Sequence, residues 1–195
     1  MRREIIERAA TEVFAERGYR GASMQEIARR SGVSAPVLYD HFASKLDLHR
    51  RLLERTRNEL LEVWREHLFG DEPAEVRVPR SFDAWARYVE SHPYASRMFF
   101  REAAGDAEAE EVHREVQAQA RVALAMVLGR EPGAEYLAGS AGQEALEMAA
   151  EIMRAGLTGL AVWWSEHPHV PREQIVSTAV NVLWTGFERS RGGGR

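Results

Sequence analysis

Hydrophobic residues recur at helical spacing along almost the whole chain, and no segment shows the strict alternation that is typical of a β-strand. The first apolar stripe, which includes Ile6, Val13 and Phe14, predicts a helix over residues 2–17 that ends at Gly18. Glycine and proline separate the later stripes from one another, as is usual at helix boundaries. The pattern therefore predicts an all-α protein.

The later stripes predict six further helical segments, in addition to two short helices between residues 23 and 45. These segments run from Lys45 to about Phe69, over a short stretch that contains Phe82 and Val89, from Tyr94 to about Ala104, from Gly105 to about Leu128, from about Ser140 to Glu166, and over 172–189. Pro79 is predicted to belong to the break before Phe82. The last two segments are too apolar for surface helices of a monomer, which predicts a buried helical pair or a dimer interface.

The segment 23–45 has the pattern of two short helices joined by a tight turn. Ser23 is a suitable N-cap, and Glu26 three residues later completes a capping box. Gly32 lies where the first helix ends and the backbone needs a positive φ. Ser34 is positioned as the N-cap of the second helix. The spacing predicts a helix-turn-helix.

The second short helix separates packing residues from residues that are left for a partner. Val37, Leu38 and Phe42 are suited to pack against the preceding helices, whereas Tyr39 and His41 lie outside that set. A helix-turn-helix places its second helix in the major groove of DNA. We therefore expect this helix to contact double-stranded DNA.

Composition limits the other classes of function. The 195 residues are 45% hydrophobic and 29% charged, which is enough apolar material for a sizeable core. The absence of cysteine excludes disulfides, thiolate catalysis and sulfur-ligated metal sites. No apolar segment resembles a signal peptide or reaches the length of a membrane span. We expect a soluble, cytoplasmic protein with no membrane partner.

Charge is distributed unevenly along the chain. The net charge is −4, but residues 1–50 carry nine basic and seven acidic side chains and are weakly positive. Such asymmetry favours a nucleic-acid module joined to another domain. Lys45 is the only lysine beside 25 arginines. Its compact ammonium is suited to a phosphate contact, and chance retention of one lysine is the alternative.

Residues 3–52 resemble the TetR family of bacterial transcriptional regulators. The positions that carry the resemblance are Ile6, Ala9, Ala10, Phe14, Gly18, Tyr19, Ser23, Ile27, Ala28, Gly32, Val33, Ser34, Leu38, Tyr39, His41, Phe42, Ser44, Lys45 and Leu48. The resemblance implies a three-helix helix-turn-helix domain over residues 1–47 and a helical ligand-binding and dimerisation domain over 48–190. Residues 191–195 are predicted to be a disordered tail.

The resemblance also implies which residues contact DNA. The expected set is Ser23, Ser34, Ala35, Pro36, Val37, Tyr39, His41 and Lys45. Ser23, Ser34, Tyr39, His41 and Lys45 are expected to contact phosphates, and the helix N-terminus at 34–37 is expected to approach base edges. Two residues depart from the family pattern, since Pro36 lacks a backbone donor and the Asp40 carboxylate is repelled by phosphates unless it pairs with an arginine. Contact with thymine methyl groups and DNA shape are expected to carry much of the specificity.

Two further sets of residues are assigned to the C-terminal domain. An effector cavity is expected to be lined by Trp64, Phe69, Trp85, Tyr88, Met98, Phe99, Met126, Met148 and Met153, with ordinary core packing as the alternative. The dimer interface is expected to contain Met153, Leu157, Leu160, Trp164, Val180, Trp184 and Phe187.

Enzymatic and metal-binding functions lack support in the sequence. Glu110 and His113 have the Glu-x-x-His spacing of di-iron bundles, but a second copy is missing, and His167 and His169 lack further ligands. We predict no catalytic residues, no metal and no cofactor. The predicted function is a homodimeric repressor that binds palindromic operator DNA and is released by a small apolar or aromatic effector. The alternative is a DNA-binding dimer whose C-terminal domain is a protein-interaction scaffold.

Overall fold

The computed structural model describes residues 2–69, 71–101, 103–130 and 142–184, which form nine α-helices and no β-strand. The helices are α1 (Arg2–Gly21), α2 (Met24–Ser31), α3 (Ala35–His41), α4 (Lys45–Leu68), α5 (Ala74–Ser91), α6 (Pro93–Phe100), α7 (Ala107–Leu128), α8 (Gly142–Glu166) and α9 (Arg172–Ala179). A π-helical turn, Val180–Trp184, follows α9 directly. The predicted all-α fold is therefore confirmed.

Helix α1 changes direction at Gly18. The backbone there has φ 67° and ψ 173°, outside the helical region, and a short helical piece continues to Gly21. Glycine adopts a positive φ without the steric cost that a Cβ atom adds. The end of the regular helix at Gly18 is thus confirmed, and the chain resumes helical geometry for one further turn.

Two predicted helix boundaries are wrong. Helix α5 begins at Ala74 and passes through Pro79, where the sequence predicts a break. A proline inside a helix costs about 3 kcal/mol. Val78, Phe82 and Trp85 are each only 1% exposed, and burial contributes about 1.5–3 kcal/mol per side chain, so packing outweighs the proline. Helix α6 ends at Phe100 rather than near residue 104, because the next residue is already extended.

The chain divides into two compact units. The first contains the chain up to residue 58 together with residues 92–117, and the second contains residues 59–91 together with the chain from 118 onward. Helices α4 and α7 each contribute to both units. The predicted domain boundary after residue 47 falls within α4 and stays a prediction.

The first unit is built around the N-terminal helices. Helix α1 packs against α2 and α6, and α2 packs against α3. Its most deeply buried large side chains are Ile6, Val13, Ile27, Leu38, Phe42, Leu48, Leu52, Leu53 and Val116. Because Leu38 and Phe42 belong to this core, α3 is fixed on one side and its opposite side is left accessible.

The second unit contains a packed arrangement of α5 and α9. Helix α9 and the π-helical turn both pack against α5, and α9 also contacts α8. Trp85 and Ile175 are 1% and 2% exposed in this contact region. Arg172 of α9 forms ion pairs with Asp83 at 3.0 Å and with Glu90 at 2.6 Å, which fixes the start of α9 against α5. No helix in the described part of the chain is long and apolar enough to cross a membrane.

Candidate nucleic-acid interface

The turn between α2 and α3 is determined by its capping residues. The Glu26 backbone N–H donates to the Ser23 Oγ at 3.2 Å, so Ser23 is the N-cap of α2 as predicted. Gly32 has φ 67° and ends α2, with its N–H donating to the Arg29 carbonyl oxygen at 3.3 Å. The Glu26 side chain does not complete the predicted capping box, since its carboxylate pairs with arginines instead.

Arginine and glutamate side chains join α1 to α2. Arg30 contacts Glu16 at 2.7 Å and Glu26 at 3.0 Å, and Arg17 contacts Glu26 at 3.0 Å. The hydrogen bond from Arg30 holds the pKa of Glu16 below its ordinary value, and the same contact raises the pKa of Arg30. Exposed pairs contribute little stability, so their main effect is to fix the orientation of α2.

Helix α3 has one buried and one exposed side. Leu38 is fully buried and Phe42 is 1% exposed, whereas Tyr39 is 51% exposed. Of the predicted DNA-contact residues, Ser23, Ser34, Pro36, Tyr39 and His41 are exposed, and Ala35, Val37 and Lys45 are half-buried. Ser34 occupies the N-cap position of α3, but its hydroxyl makes no capping hydrogen bond. The predicted DNA-contact residues are thus accessible or partly accessible.

Lys45 makes contacts that the sequence does not reveal. Its Nζ donates to the carbonyl oxygen of Tyr19 at 3.0 Å and to that of Ala22 at 3.2 Å. The same ammonium lies 4.2 Å from the centre of the Tyr19 ring, in a cation–π contact. The ammonium has three donors, and two are used here. Lys45 therefore joins the start of α4 to the end of α1, and its phosphate contact stays a prediction.

His49 is a buried polar residue that the sequence interpretation missed. It is 3% exposed, and its ring lies 4.8 Å from that of Phe14 and 5.0 Å from that of Tyr19. Burial lowers the pKa of His49 to about 3, with smaller contributions from His113 and Lys45. The available signal was its position one helical turn before Leu52 and Leu53, on the apolar side of α4.

A cavity of about 140 Å³ lies beside His49 within the first unit. It is lined by Phe14, Ala15, Glu16, Gly18, Tyr19, His49, Arg97, Met98, Arg101 and Ala103. Met98 is the one lining residue that also belongs to the predicted effector set. The cavity therefore differs from the cavity that the sequence predicts.

The predicted effector residues are distributed over both compact units. Met98 and Phe99 belong to the first unit, and the other seven belong to the second. Trp64, Trp85, Tyr88, Met98, Phe99 and Met153 are buried, Phe69 is half-buried, and Met126 and Met148 are more than half exposed. The Trp64 ring packs edge-on against Phe82, and the Tyr88 hydroxyl donates to Glu59 at 2.6 Å. Exposed Met126 and Met148 are therefore not part of this buried group.

Most of the predicted dimer residues pack inside the subunit. Met153, Leu157, Trp164 and Trp184 are 4–7% exposed, Leu160 and Val180 are half-buried, and Phe187 lies outside the described residues. The Trp164 Nε1–H donates to the Val170 carbonyl oxygen at 2.9 Å. The part of these residues in a dimer interface stays a prediction. The apolar residues that α8 exposes are different and include Met148, Ile152 and Trp163.

The capped turn, the anchored α3 and its exposed face together define a helix-turn-helix DNA-binding protein. Residues 6–52 match the profile of the family described as bacterial regulatory proteins, tetR family. The chain is 30% identical over 184 residues to the HTH-type transcriptional activator FasR of Mycolicibacterium smegmatis, covering 92% of this chain and 80% of FasR. It is 34% identical over 76 residues to the HTH-type transcriptional repressor BepR of Brucella suis, covering 39% and 36%.

Solved structures share the fold over nearly the whole chain. The fatty acid degradation regulator FadR from Bacillus halodurans has a TM-score of 0.77 and 19% identity, covering 100% of this chain and 96% of FadR. The regulator FadR from Bacillus subtilis, solved with stearoyl-CoA, has a TM-score of 0.75 and 17% identity, covering 94% and 98%. The chain belongs to the TetR family of bacterial regulatory proteins. It is a DNA-binding transcriptional regulator and not an enzyme.

Proposed function

We propose that this protein is a homodimeric repressor that binds palindromic operator DNA through α3 and is released by an effector with a long apolar chain. The observation that carries the proposal is the exposed side of α3, where Tyr39 and His41 are accessible while Leu38 and Phe42 hold the helix in the core. Ser34, with its unused hydroxyl, begins the same surface. Hydroxyl groups of this kind are common phosphate ligands.

An exposed apolar stripe on α8 supports dimerisation. Met148, Ile152, Ala155, Gly159 and Trp163 are all exposed, and their spacing of three or four residues puts them on one side of the helix. A Cβ atom added at Gly159 would meet nothing within 4 Å. Exposed apolar surface of this kind is typical of association sites, and small central residues permit close approach of a partner helix.

The proposed dimer surface therefore differs from the residues predicted for it. Met153, Leu157 and Trp164 lie on the buried side of α8, Trp184 is buried in the π-helical turn after α9, and the exposed stripe takes their place in the proposal. The two α3 helices of a dimer enter successive major grooves when they lie about 34–36 Å apart, or a multiple of one DNA turn. A palindromic operator follows from this symmetry.

The effector class is proposed from chemistry and from the fold. The second unit buries the aromatic and thioether side chains of Trp64, Trp85, Tyr88 and Met153, which suit an apolar ligand. The same fold holds stearoyl-CoA in the Bacillus subtilis regulator. We therefore propose a long-chain acyl-CoA as the effector. Shifting the protein from mostly bound to mostly free requires about 5.5 kcal/mol of differential affinity.

Helix α4 is the proposed route from effector to DNA. It is one continuous helix of 24 residues that begins at Lys45, which contacts the end of α1, and carries Trp64 near its other end. A rigid helix transmits displacement along its length. We propose that the effector displaces α4 and so alters the position of α3.

The test combines selection of DNA with release by the effector. Duplexes bound at near-physiological salt are selected from a random pool, and the recovered site is then titrated with stearoyl-CoA, using free CoA as the control. The proposal predicts a palindrome that stearoyl-CoA releases and CoA does not. Recovery of no common sequence contradicts operator binding. A palindrome that stearoyl-CoA does not release contradicts the effector class and favours the interaction-scaffold alternative.

A further inference from the structure

Asp40 lies on the side of α3 that faces away from the core. At 3.6 residues per turn, residues two positions before and after a buried residue lie almost opposite to it. Leu38 is fully buried, and Pro36 and Asp40 are both exposed. Pro36 has no hydrogen-bonding group on its side chain. Asp40 is therefore the polar side chain at the centre of the exposed face.

The Asp40 carboxylate makes no hydrogen bond or ion pair with any described residue. Several other carboxylates of the first unit are engaged: Glu16 pairs with Arg30, and Asp47 pairs with Arg51 at 2.9 Å. Arg30 is also held by Glu26. Asp40 therefore presents its full negative charge on the helix that approaches DNA.

An ionised carboxylate only accepts hydrogen bonds, and this restricts which bases it can contact. In the major groove the donors are the N4 amino group of cytosine and the N6 amino group of adenine. Guanine presents two acceptors and thymine one, and each of these repels a carboxylate. Adenine also places its N7 acceptor beside N6, where it faces the second carboxylate oxygen. Cytosine is thus the base that Asp40 suits best.

We propose that Asp40 is a specificity-determining residue that accepts a hydrogen bond from the N4 amino group of one cytosine in each half-site. The inference rests on the proposed binding of operator DNA through α3. The neighbouring Ala35, Pro36 and Val37 have apolar side chains, so the hydrogen-bonding selectivity of this surface depends on few groups. The same negative charge is repelled by phosphates, so Asp40 also weakens binding to unrelated sequences.

The experiment selects bound duplexes from a random pool with the wild type, Asp40→Asn and Asp40→Ala. The wild type is expected to select a palindrome with cytosine at one position per half-site. Asp40→Asn is expected to select adenine at that position, since an amide bonds to both N6 and N7 of adenine. Asp40→Ala is expected to show no base preference at that position and to keep the wild-type base preference at the other positions. Replacing the cytosine lowers wild-type affinity roughly 5- to 150-fold.

Asp47→Asn is the matched control, because it removes one negative charge from the same unit outside α3. It is expected to keep the wild-type base preference, and circular dichroism checks the helical content of every variant. If both Asp40 variants select the wild-type palindrome with cytosine unchanged, the inference is overturned and operator binding stands. If the wild type selects no palindrome, the proposed function fails as well.

Discussion

Lys45 is the residue whose chemistry is most particular to its position. Its ammonium reaches two carbonyl oxygens, of Tyr19 and Ala22, and lies over the Tyr19 ring. A guanidinium is planar and has its donors in a fixed fork, whereas an ammonium is compact and can direct its donors towards several acceptors. An ammonium therefore suits this site better than a guanidinium does.

Replacing Lys45 with alanine is expected to reduce both stability and DNA binding. Hydrogen bonds to a charged group contribute about 1.5–3 kcal/mol, so urea unfolding should show a loss of that order in the free energy of unfolding. The proposed phosphate contact adds a second effect: the negative slope of log affinity against log salt should become shallower by about 0.9. The control Arg65→Ala removes an exposed cation farther along α4. If Lys45→Ala and Arg65→Ala have equal free energies of unfolding, the structural role of Lys45 is contradicted.

His49 makes the stability of the protein depend on pH. Burial holds its pKa at about 3, whereas an exposed histidine in the unfolded chain has a pKa near 6.5. As pH falls below about 6.5, the unfolded state takes up a proton that the folded state does not. The folded state therefore loses stability in acid, over the range from about 6.5 down to about 3.

The variant His49→Leu tests this dependence. In the wild type His49 is expected to remove about 1.4 kcal/mol of unfolding free energy for each pH unit between about 6 and 4. Leucine cannot titrate, so the variant should lose stability in acid less steeply by that amount. Urea unfolding at several pH values gives the two slopes. Equal slopes for the two proteins would show that His49 takes up a proton to the same extent in the folded and unfolded states. That result would contradict the prediction.

At the scale of the element, α8 has two apolar sides, of which one is buried and one is exposed. Met153, Leu157 and Trp164 face the interior of the second unit. Met148 and Ile152 are 58% and 67% exposed on the other side. A helix that is apolar on both sides is typical of one that packs in its own subunit and against a partner. The sequence indicates that α8 is unusually apolar, but the assignment of its sides requires the fold.

Substituting arginine at Ile152 tests the proposed dimer surface. A charge in an apolar interface without a partner is strongly unfavourable, so Ile152→Arg is expected to be monomeric. Its helical content should match the wild type, because the side chain is exposed within the subunit. Val76→Arg is the control, since Val76 is an exposed apolar residue of α5 outside the stripe. Light scattering gives the mass, and a dimeric Ile152→Arg contradicts the proposal.

Local sequence signals account for most of the helix boundaries. The capping residues Ser23 and Gly32 and the start of α4 at Lys45 follow from residue type and apolar spacing. The break predicted at Pro79 does not occur, because the burial of neighbouring side chains is a tertiary effect that local propensity does not contain. The Glu26 carboxylate likewise departs from the predicted capping box, since it pairs with Arg17 of α1, a tertiary contact, and with Arg30 one turn along α2.

At the scale of the whole molecule, the family and the recognition helix could be identified from sequence, but the environment of each residue could not. The exposure of Tyr39 and the burial of Leu38 follow from the helix-turn-helix pattern. The carbonyl partners of Lys45 lie more than twenty positions away, and no local pattern marks them. The burial of Trp184 within its own subunit could not be predicted from the sequence either, since an apolar residue is equally suited to a core or an interface.

The single lysine has a practical consequence for the whole chain. An endoprotease specific for lysine has one target bond, between Lys45 and Leu46, in the first turn of α4. Cleavage of a folded protein requires local opening around the bond. The rate of this one cut therefore measures how often the Lys45 contact with the end of α1 opens. Cleavage at this bond can therefore be used to follow opening of the junction between the DNA-binding helices and α4 in the unlabelled protein.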